Sequence, residues 1–277
     1  MPTQETTLQT KDALNLFAQI WEPALPPKAV VCLVHGLGEH IGRYQHVAEA
    51  FNQAGIAFVG YDQRGHGKSP GKRGQVPSYE TMLDDLENLQ GMAQKRYLGI
   101  PCFLYGHSMG GSEVLIYALR RQPKIAGVIS TSPWLKLVNE TPAWLRNMAK
   151  VLNSIAPGFT QANGLDLPGL SRDPAVVQAY RADPLVHNQI SARLGYESIL
   201  SGLWALEHAN ELTIPLLLVH GSADRLTSAP ASQDFAARAG DMCTLKIWDG
   251  FYHETHNEPE KTQVIAYTIE WVEQHLS

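Results

Sequence analysis

Apolar residues in this sequence fall into short continuous runs, and each run ends in glycine or polar residues before the next segment begins. Runs of this length and composition predict strands that are buried on both faces. They lie at residues 29–34, 56–61, 102–105, 125–130, 215–219 and 245–248. Apolar residues at helical spacing predict helices near residues 44–54, 79–97, 112–121, 229–239 and 258–275. Strands that alternate with helices predict a mostly parallel, doubly wound α/β sheet with helices on both faces.

The first segment of the chain departs from this alternation. Residues 6–9 and 14–21 predict two antiparallel strands, because a turn signal at Lys11 and Asp12 separates them. We therefore expect the sheet to begin with an antiparallel pair.

A second departure begins after Ser132, where no strand pattern appears until about Leu212. An amphipathic segment, a loop rich in glycine and proline and two helical stretches fill the interval. Such an insertion between sheet strands predicts a cap, although a helical pair that only completes the core is an alternative. We predict a core of residues 1–132 and 213–277 and a cap of residues 133–212.

Composition limits the possible partners and location of the chain. Its 277 residues are 44% hydrophobic and 18% charged, and the net charge of −5 gives no basic surface for nucleic acid. The three cysteines lie in strand-like runs, which predicts free thiols and a cytoplasmic protein, and no secretion signal or membrane-spanning run is seen. No cluster of metal ligands appears, so we expect neither a metal nor another cofactor.

A G-x-S-x-G motif at residues 106–110 is the strongest chemical signal. It follows a predicted strand and opens a predicted helix, which is the context of a nucleophile elbow. The turn is too sharp for ordinary side chains, so glycines flank the serine. Ser108 is therefore the candidate nucleophile.

A serine nucleophile needs a base and an acid, and both follow later strands. Asp224 and His253 come after Ser108 in the order Ser…Asp…His that is typical of α/β-hydrolases. His256 is an alternative base and Asp249 an alternative acid. Other histidines close to these strand ends are predicted to have packing or loop-bridging roles; they are His35, His107 and His220.

Two loops near the predicted strand ends carry further predictions. The oxyanion of an acyl-transfer intermediate needs two donors, which we assign to the backbone N–H groups of Met109 and Leu37. The glycine-rich residues 62–69 lack the spacing of a phosphate-binding loop, so a tight surface turn is expected there.

Several motifs resemble those of the monoacylglycerol lipase family within the α/β-hydrolases. These are H-G-L-G-E-H at 35–40 with G-R-Y at 42–44, G-H-S-M-G-G at 106–111, L-S-R-D at 170–173, D-P-L at 183–185, G-S-A-D-R-L at 221–226 and Y-H at 252–253. The resemblance implies an α/β-hydrolase fold, hydrolysis of monoacylglycerols and a cap whose apolar inner face forms an acyl tunnel. It also implies that Glu39, Arg43 and His256 hold the glycerol or its leaving water.

Alternatives remain open at this point. Glu39 and Arg43 could instead form an ion pair that fixes the oxyanion loop. The same triad would serve a lysophospholipase or a broad carboxylesterase, and a ligand-binding receptor with little turnover is a third alternative. The expected partner is a lipid ester, with transient contact between the cap and a membrane surface through the stripe of Trp144, Met148, Val151, Leu152 and Ile155.

Overall fold

The computed structural model describes residues 3–139 and 142–276, and its centre is an eight-stranded sheet. In chain order the strands are β1 (Thr3–Gln9), β2 (Asn15–Trp21), β3 (Ala29–Val34), β4 (Ile56–Tyr61), β5 (Cys102–His107), β6 (Gly127–Thr131), β7 (Thr160–Ala162), β8 (Gln189–Ser191), β9 (Leu216–Gly221) and β10 (Cys243–Trp248). The order across the sheet is β1-β2-β4-β3-β5-β6-β9-β10. The pairs β1–β2 and β2–β4 are antiparallel and the pairs from β4 across to β10 are parallel, in agreement with the prediction.

Helices cover both faces of this sheet. They are α1 (Gln45–Gln53), α2 (Tyr79–Arg96), α3 (Met109–Arg121), α4 (Ala143–Ile155), α5 (Pro174–Ala182), α6 (Ala192–Glu207), α7 (Ala229–Ala239) and α8 (Lys261–Gln274). Helices α1 and α8 pack on one face, and α2, α3 and α7 pack on the other. Along β3, Cys32 belongs to the apolar core beneath α2 and α3, whereas Val31 and Leu33 belong to the core beneath α1. Burial on both faces explains why the strands appear in the sequence as continuous apolar runs.

The segment between β6 and β9, which we call the cap segment, holds α4, α5 and α6. It also contains an antiparallel pair of strands, β7 with β8, so the expectation of a segment without strands is wrong. Each of these strands has three residues, too few to produce a periodic pattern. Among the described residues, no helix combines the length and the hydropathy that crossing a bilayer requires.

The loop at residues 62–69 is buried, so the expectation of a surface turn is also wrong. The Asp62 carboxylate accepts hydrogen bonds from the N–H groups of Ile41 and Lys68, at 2.9 and 2.7 Å. The His66 ring lies 4.6 Å from the ring of His187 in the cap segment. His187 is 121 residues further along the chain than His66, and the sequence of the loop does not indicate that such a distant segment covers it.

Candidate active site

Ser108 lies on a strained turn between β5 and α3. Its backbone has φ 56° and ψ −114°, a conformation that side chains rarely adopt. Glycines make the turn possible, because a Cβ at Gly106 would lie 2.1 Å from the carbonyl oxygen of Gly110. A Cβ at Gly110 would lie 2.2 Å from the carbonyl oxygen of Val34. The turn thus presents the Ser108 hydroxyl at the carboxyl end of the sheet, as the motif predicts.

The structure brings Ser108, His253 and Asp224 into one hydrogen-bonded chain. Ser108 Oγ lies 3.0 Å from His253 Nε2, and His253 Nδ1 lies 2.7 Å from Asp224 Oδ2. Because the carboxylate can only accept, His253 carries its proton on Nδ1 and leaves Nε2 free to accept from the serine. This arrangement is suited to removing the serine proton during attack on a carbonyl carbon.

The surroundings of His253 and Asp224 keep the pair ionisable although both are buried. Burial alone lowers the pKa of His253, but the charge of Asp224, with smaller contributions from Glu254 and Glu39, outweighs it and raises the pKa. Burial alone raises the pKa of Asp224, but His253 and a hydrogen bond from His220 hold it well below its usual range. Asp224 therefore stays a carboxylate that can stabilise a protonated His253.

The predicted oxyanion donors lie beside the serine. A Cβ at Gly36 would come within 3.2 Å of the Ser108 Cβ, so the loop containing Leu37 passes directly over the elbow. Within residues 3–139 and 142–276, the N–H groups of Leu37 and Met109 donate to no protein acceptor. Both donors are therefore free for a substrate oxygen.

Glu39 anchors this loop from the inside. Its Oε1 accepts hydrogen bonds from the N–H of Gly36 and the hydroxyl of Tyr44, both at 2.7 Å. Its Oε2 pairs with the guanidinium of Arg43 at 2.5 Å. Glu39 is 3% exposed, so these contacts occupy a buried carboxylate that would be costly without them.

Arg43 links the oxyanion loop to the residue that follows His253. Its guanidinium makes two hydrogen bonds of 2.7 Å to Glu254, in addition to its pair with Glu39. The ring of Tyr180, from α5, lies 4.7 Å from the same guanidinium. Arg43 is therefore held by protein groups on several sides, which matches the alternative of a structural ion pair.

The structure places His256 away from the expected alcohol site. It is 1% exposed, stacks against Tyr44 with 4.9 Å between ring centroids, and is absent from the residues that line the cavity at Ser108. Burial lowers its pKa well below the usual value, so the ring is neutral. It neither lines the cavity at Ser108 nor bonds to the Ser108 hydroxyl, which His253 contacts, so the structure does not support either suggested role for His256.

The remaining alternatives from the sequence have other surroundings. Asp249 accepts a hydrogen bond from the exposed hydroxyl of Ser222 and does not reach His253. His107 bonds to Thr131 and packs against His253. His35 accepts a hydrogen bond from the N–H of Gln63 at 2.9 Å and so bridges two loops, as expected. His220 is different, because its Nε2 lies 3.0 Å from Asp224 Oδ2. The sequence predicts only a packing or loop-bridging role for His220, and no local pattern indicates its contact with Asp224.

Two neighbouring cavities extend from the candidate nucleophile beneath the cap segment. The first, of about 100 Å³, is lined by Ser108, His253 and mainly apolar side chains. The second, of about 170 Å³, lies between α4 and α6. They share four lining residues: Trp134, Leu137, Asn163 and Ile190. The two cavities therefore adjoin, and we call them together the apolar path, of which the first cavity lies at Ser108.

Comparison with known proteins connects this geometry to a family. Residues 25–260 match the Hydrolase_4 family, which is described as serine aminopeptidase, S33. The chain belongs to this family.

Two relatives that this Hydrolase_4 member matches over most of its length are monoacylglycerol lipases. A monoacylglycerol lipase of Mycolicibacterium smegmatis is 38% identical over 95% of this chain and 94% of that protein. The crystal structure of a monoacylglycerol lipase from Paleococcus ferrophilus matches with a TM-score of 0.87 and 38% identity, covering 94% of this chain and 99% of that one. The α/β-hydrolase fold and the family resemblance predicted from the motifs are thereby confirmed.

One relative is much longer than this chain. An uncharacterised abhydrolase domain-containing protein of Dictyostelium discoideum is 38% identical over 100% of this chain, which spans 30% of that protein's length. The hydrolase unit of the family thus also occurs within larger proteins.

Proposed function

We propose that this chain is a carboxylic ester hydrolase that cleaves monoacylglycerols into fatty acid and glycerol. The observation that carries the proposal is that the hydrogen-bonded residues Ser108, His253 and Asp224 lie at one end of the apolar path under the cap segment. The path suits an acyl chain, and the hydrogen-bonded chain suits acyl transfer. The whole-length similarity to monoacylglycerol lipases supports the same substrate class.

The proposed reaction proceeds through an acyl-enzyme. His253 takes the proton of Ser108 as its oxygen attacks the ester carbonyl carbon, and the N–H groups of Leu37 and Met109 bind the resulting oxyanion. The tetrahedral intermediate collapses, His253 protonates the departing glycerol oxygen, and the acyl group remains on Ser108. Water then repeats the cycle and releases the fatty acid.

Glu39 and Arg43 have a different part in this proposal from the one that the resemblance implies. We assign them to the shape of the oxyanion loop, because Glu39 holds the N–H of Gly36 and Arg43 is shared by Glu39 and Glu254. The alcohol would then contact the open side of the cavity rather than these buried groups.

The family description makes aminopeptidase activity the competing proposal. An aminopeptidase has to bind the α-ammonium group of its substrate, and a free carboxylate beside the nucleophile is the natural partner. Among the residues that the structure describes, two carboxylates line the first cavity, those of Glu39 and Glu254, and both are bonded to Arg43. An apolar acyl chain therefore fits this cavity better than an amino-terminal residue.

The proposed acyl path is tested by a series of monoacylglycerols of increasing chain length. Each added methylene that is buried contributes about 0.8 kcal/mol, so kcat/KM should rise by up to about fourfold per carbon until the path is full. Gly195→Leu fills the second cavity from α6, where the new Cβ meets nothing closer than 3.4 Å. This variant should prefer shorter chains and leave acetyl esters unchanged. Rates independent of chain length would contradict the acyl path.

The acid limb of the pH profile tests the role of His253 as the base. Only neutral His253 can accept the serine proton, and its pKa is raised above 6.5 by Asp224. Protonation therefore begins at a higher pH than for an ordinary histidine, and kcat/KM on a soluble ester should fall on acidification with a midpoint above 6.5. A midpoint below that value would contradict this assignment.

Contact with a lipid surface through α4 belongs to the same proposal. Trp144, Val151 and Ile155 on this helix are 68%, 57% and 74% exposed, and Phe159 follows at 53%. Apolar side chains of this size on one helix suit insertion into the boundary between lipid headgroups and acyl chains.

We also propose a cytoplasmic location, which the three free cysteines support.

Charged substitutions test this lipid contact. Trp144→Glu with Ile155→Glu should weaken binding to liposomes by about tenfold or more, because two apolar side chains no longer enter the interface. Hydrolysis of long-chain esters in vesicles should slow in proportion, whereas hydrolysis of soluble short-chain esters should not change. Equal slowing on both kinds of substrate would show that the two side chains stabilise the cap segment and do not contact lipid.

A further inference from the structure

His220 lies next to the candidate acid, Asp224. It is the penultimate residue of β9 and is 0% exposed. Its Nε2 lies 3.0 Å from Asp224 Oδ2, the same oxygen that receives His253 Nδ1. Its Nδ1 lies 2.8 Å from the hydroxyl of Ser232 on α7. The acid of the proposed triad therefore has a second histidine attached to it.

The neighbours of His220 determine where its proton resides. The atoms within reach of Nε2 are Asp224 Oδ2, the Thr227 carbonyl oxygen at 3.2 Å and the Thr227 hydroxyl at 3.3 Å. The carboxylate and the carbonyl oxygen can only accept, so Nε2 carries the proton and donates it. The charged carboxylate is the nearer and the stronger of these acceptors. Nδ1 then accepts the proton of the Ser232 hydroxyl.

Asp224 Oδ2 accepts hydrogen bonds from two ring N–H groups, Nδ1 of His253 and Nε2 of His220. Asp224 Oδ1 accepts from the N–H groups of Leu226 and Thr227, at 2.7 and 3.1 Å. The Thr227 hydroxyl lies 2.9 Å from Asp224 Oδ2 but also 3.0 Å from the Ser132 carbonyl oxygen, so its single proton has two competing acceptors. Besides His253, the donor that is committed to Oδ2 is therefore the imidazole of His220.

We propose that His220 is a positioning residue, which fixes the Asp224 carboxylate towards His253 and limits how strongly that carboxylate attracts the proton of the base. The inference rests on the proposed Ser108–His253–Asp224 mechanism. A carboxylate oxygen that accepts two N–H groups shares its charge between them and cannot rotate freely. Without His220, the charge of Asp224 acts on His253 alone, and His253 holds its proton more tightly.

Other charged and titratable groups surround the pair. Those facing His253 or its neighbours are Glu39 from the oxyanion loop, Arg43, His107 from β5, Glu254 and His256. Within the described residues, the side chain of His220 bonds to Asp224, Thr227 and Ser232 and to none of these groups. If the acid limb of the kcat/KM profile is displaced in a His220 variant, the cause is therefore the loss of the hydrogen bond that His220 donates to Asp224.

Three substitutions distinguish the effect of losing the N–H donor from the effect of losing the volume of the ring. His220→Gln places an amide N–H near the position of Nε2, whereas His220→Asn places one near Nδ1, where it reaches Ser232 but not Asp224. His220→Phe keeps the flat ring and has no donor. Each variant is assayed with 4-nitrophenyl butyrate across pH 5 to 9, and its thermal unfolding is recorded to confirm that it folds.

The expected results differ among the three variants. His220→Phe and His220→Asn should displace the acid limb of kcat/KM upwards by about 0.5 to 1 pH unit, and kcat should fall by about ten- to a hundredfold with little change in KM. His220→Gln should keep the wild-type limb and most of the wild-type kcat. A loss of kcat in His220→Phe without displacement of the limb, or an equal displacement in His220→Gln, would overturn the inference.

The rate at which a fluorophosphonate labels Ser108 is a second measurement, and it does not require substrate turnover. This rate depends on deprotonation of Ser108 by His253 and should show the same displacement of the acid limb. A wild-type protein that is labelled but hydrolyses no ester would contradict the proposed function. An unmoved labelling profile in His220→Phe would contradict only the role of His220.

Discussion

Ser108→Ala is expected to abolish ester hydrolysis while the protein stays folded. Loss of the nucleophile typically lowers turnover by about 10⁴- to 10⁶-fold, because serine, histidine and acid act as one unit. Hydrolysis of a soluble ester by purified wild-type and variant protein measures the loss directly. A variant that kept more than about a tenth of the wild-type rate would exclude Ser108 as the nucleophile.

A second substitution at the same position serves as a matched control for the elbow. Ser108→Gly also lacks the hydroxyl and should be equally inactive. Glycine adopts the backbone angles of this turn without strain, so Ser108→Gly should be more stable than Ser108→Ala by about 1 kcal/mol or more. Chemical unfolding of the two inactive variants tests this difference. Equal stability would mean that the turn stores no strain at Ser108.

Arg43→Ala is expected to destabilise the protein strongly and to slow all esters alike. The substitution leaves the carboxylates of Glu39 and Glu254, which are 3% and 2% exposed, without their cation. Breaking a buried pair in this way costs about 3–5 kcal/mol, which corresponds to a melting temperature lower by roughly 10 °C. Lys28→Ala, as a control, removes the partner of the exposed Glu273 and should cost at most about 1 kcal/mol.

The substrate dependence of Arg43→Ala separates the two assignments of this residue. If Arg43 shapes the oxyanion loop through Glu39, kcat/KM should fall by the same factor for a monoacylglycerol and for the methyl ester of the same acid. Measuring both substrates in one preparation cancels any difference in folded fraction. A selective loss on the monoacylglycerol would show instead that Arg43 binds the glycerol.

The fold and the triad could be predicted because their signals are local. Buried strands produce continuous apolar runs, and the elbow needs glycines at fixed distances from Ser108, so both appear in a single sequence. The order of Ser108, Asp224 and His253 then follows from strand ends that meet at one edge of a parallel sheet. The structure places these residues at hydrogen-bonding distance, and their catalytic roles stay predictions.

Contacts that join distant segments could not be predicted in this way. Arg43 binds Glu254, which lies 211 positions later, and the residues around Arg43 in the sequence do not indicate that partner. His256 lies three residues after His253, but the turn between them directs it into the core. The contact of His220 with Asp224 depends on the shape of the loop that joins them. Such contacts follow from the fold and carry no periodic pattern.

Hydrolysis of three substrates, of which the first two carry the same acyl group, tests the central claim most directly. The substrates are a monoacylglycerol, the corresponding lysophosphatidylcholine and an aminoacyl anilide as a peptidase substrate, each assayed with wild-type protein and with Ser108→Ala. The account predicts Ser108-dependent release of fatty acid from the monoacylglycerol, at a kcat/KM at least about tenfold above the lysophospholipid, and no cleavage of the anilide. Faster cleavage of the lysophospholipid or of the anilide would contradict it.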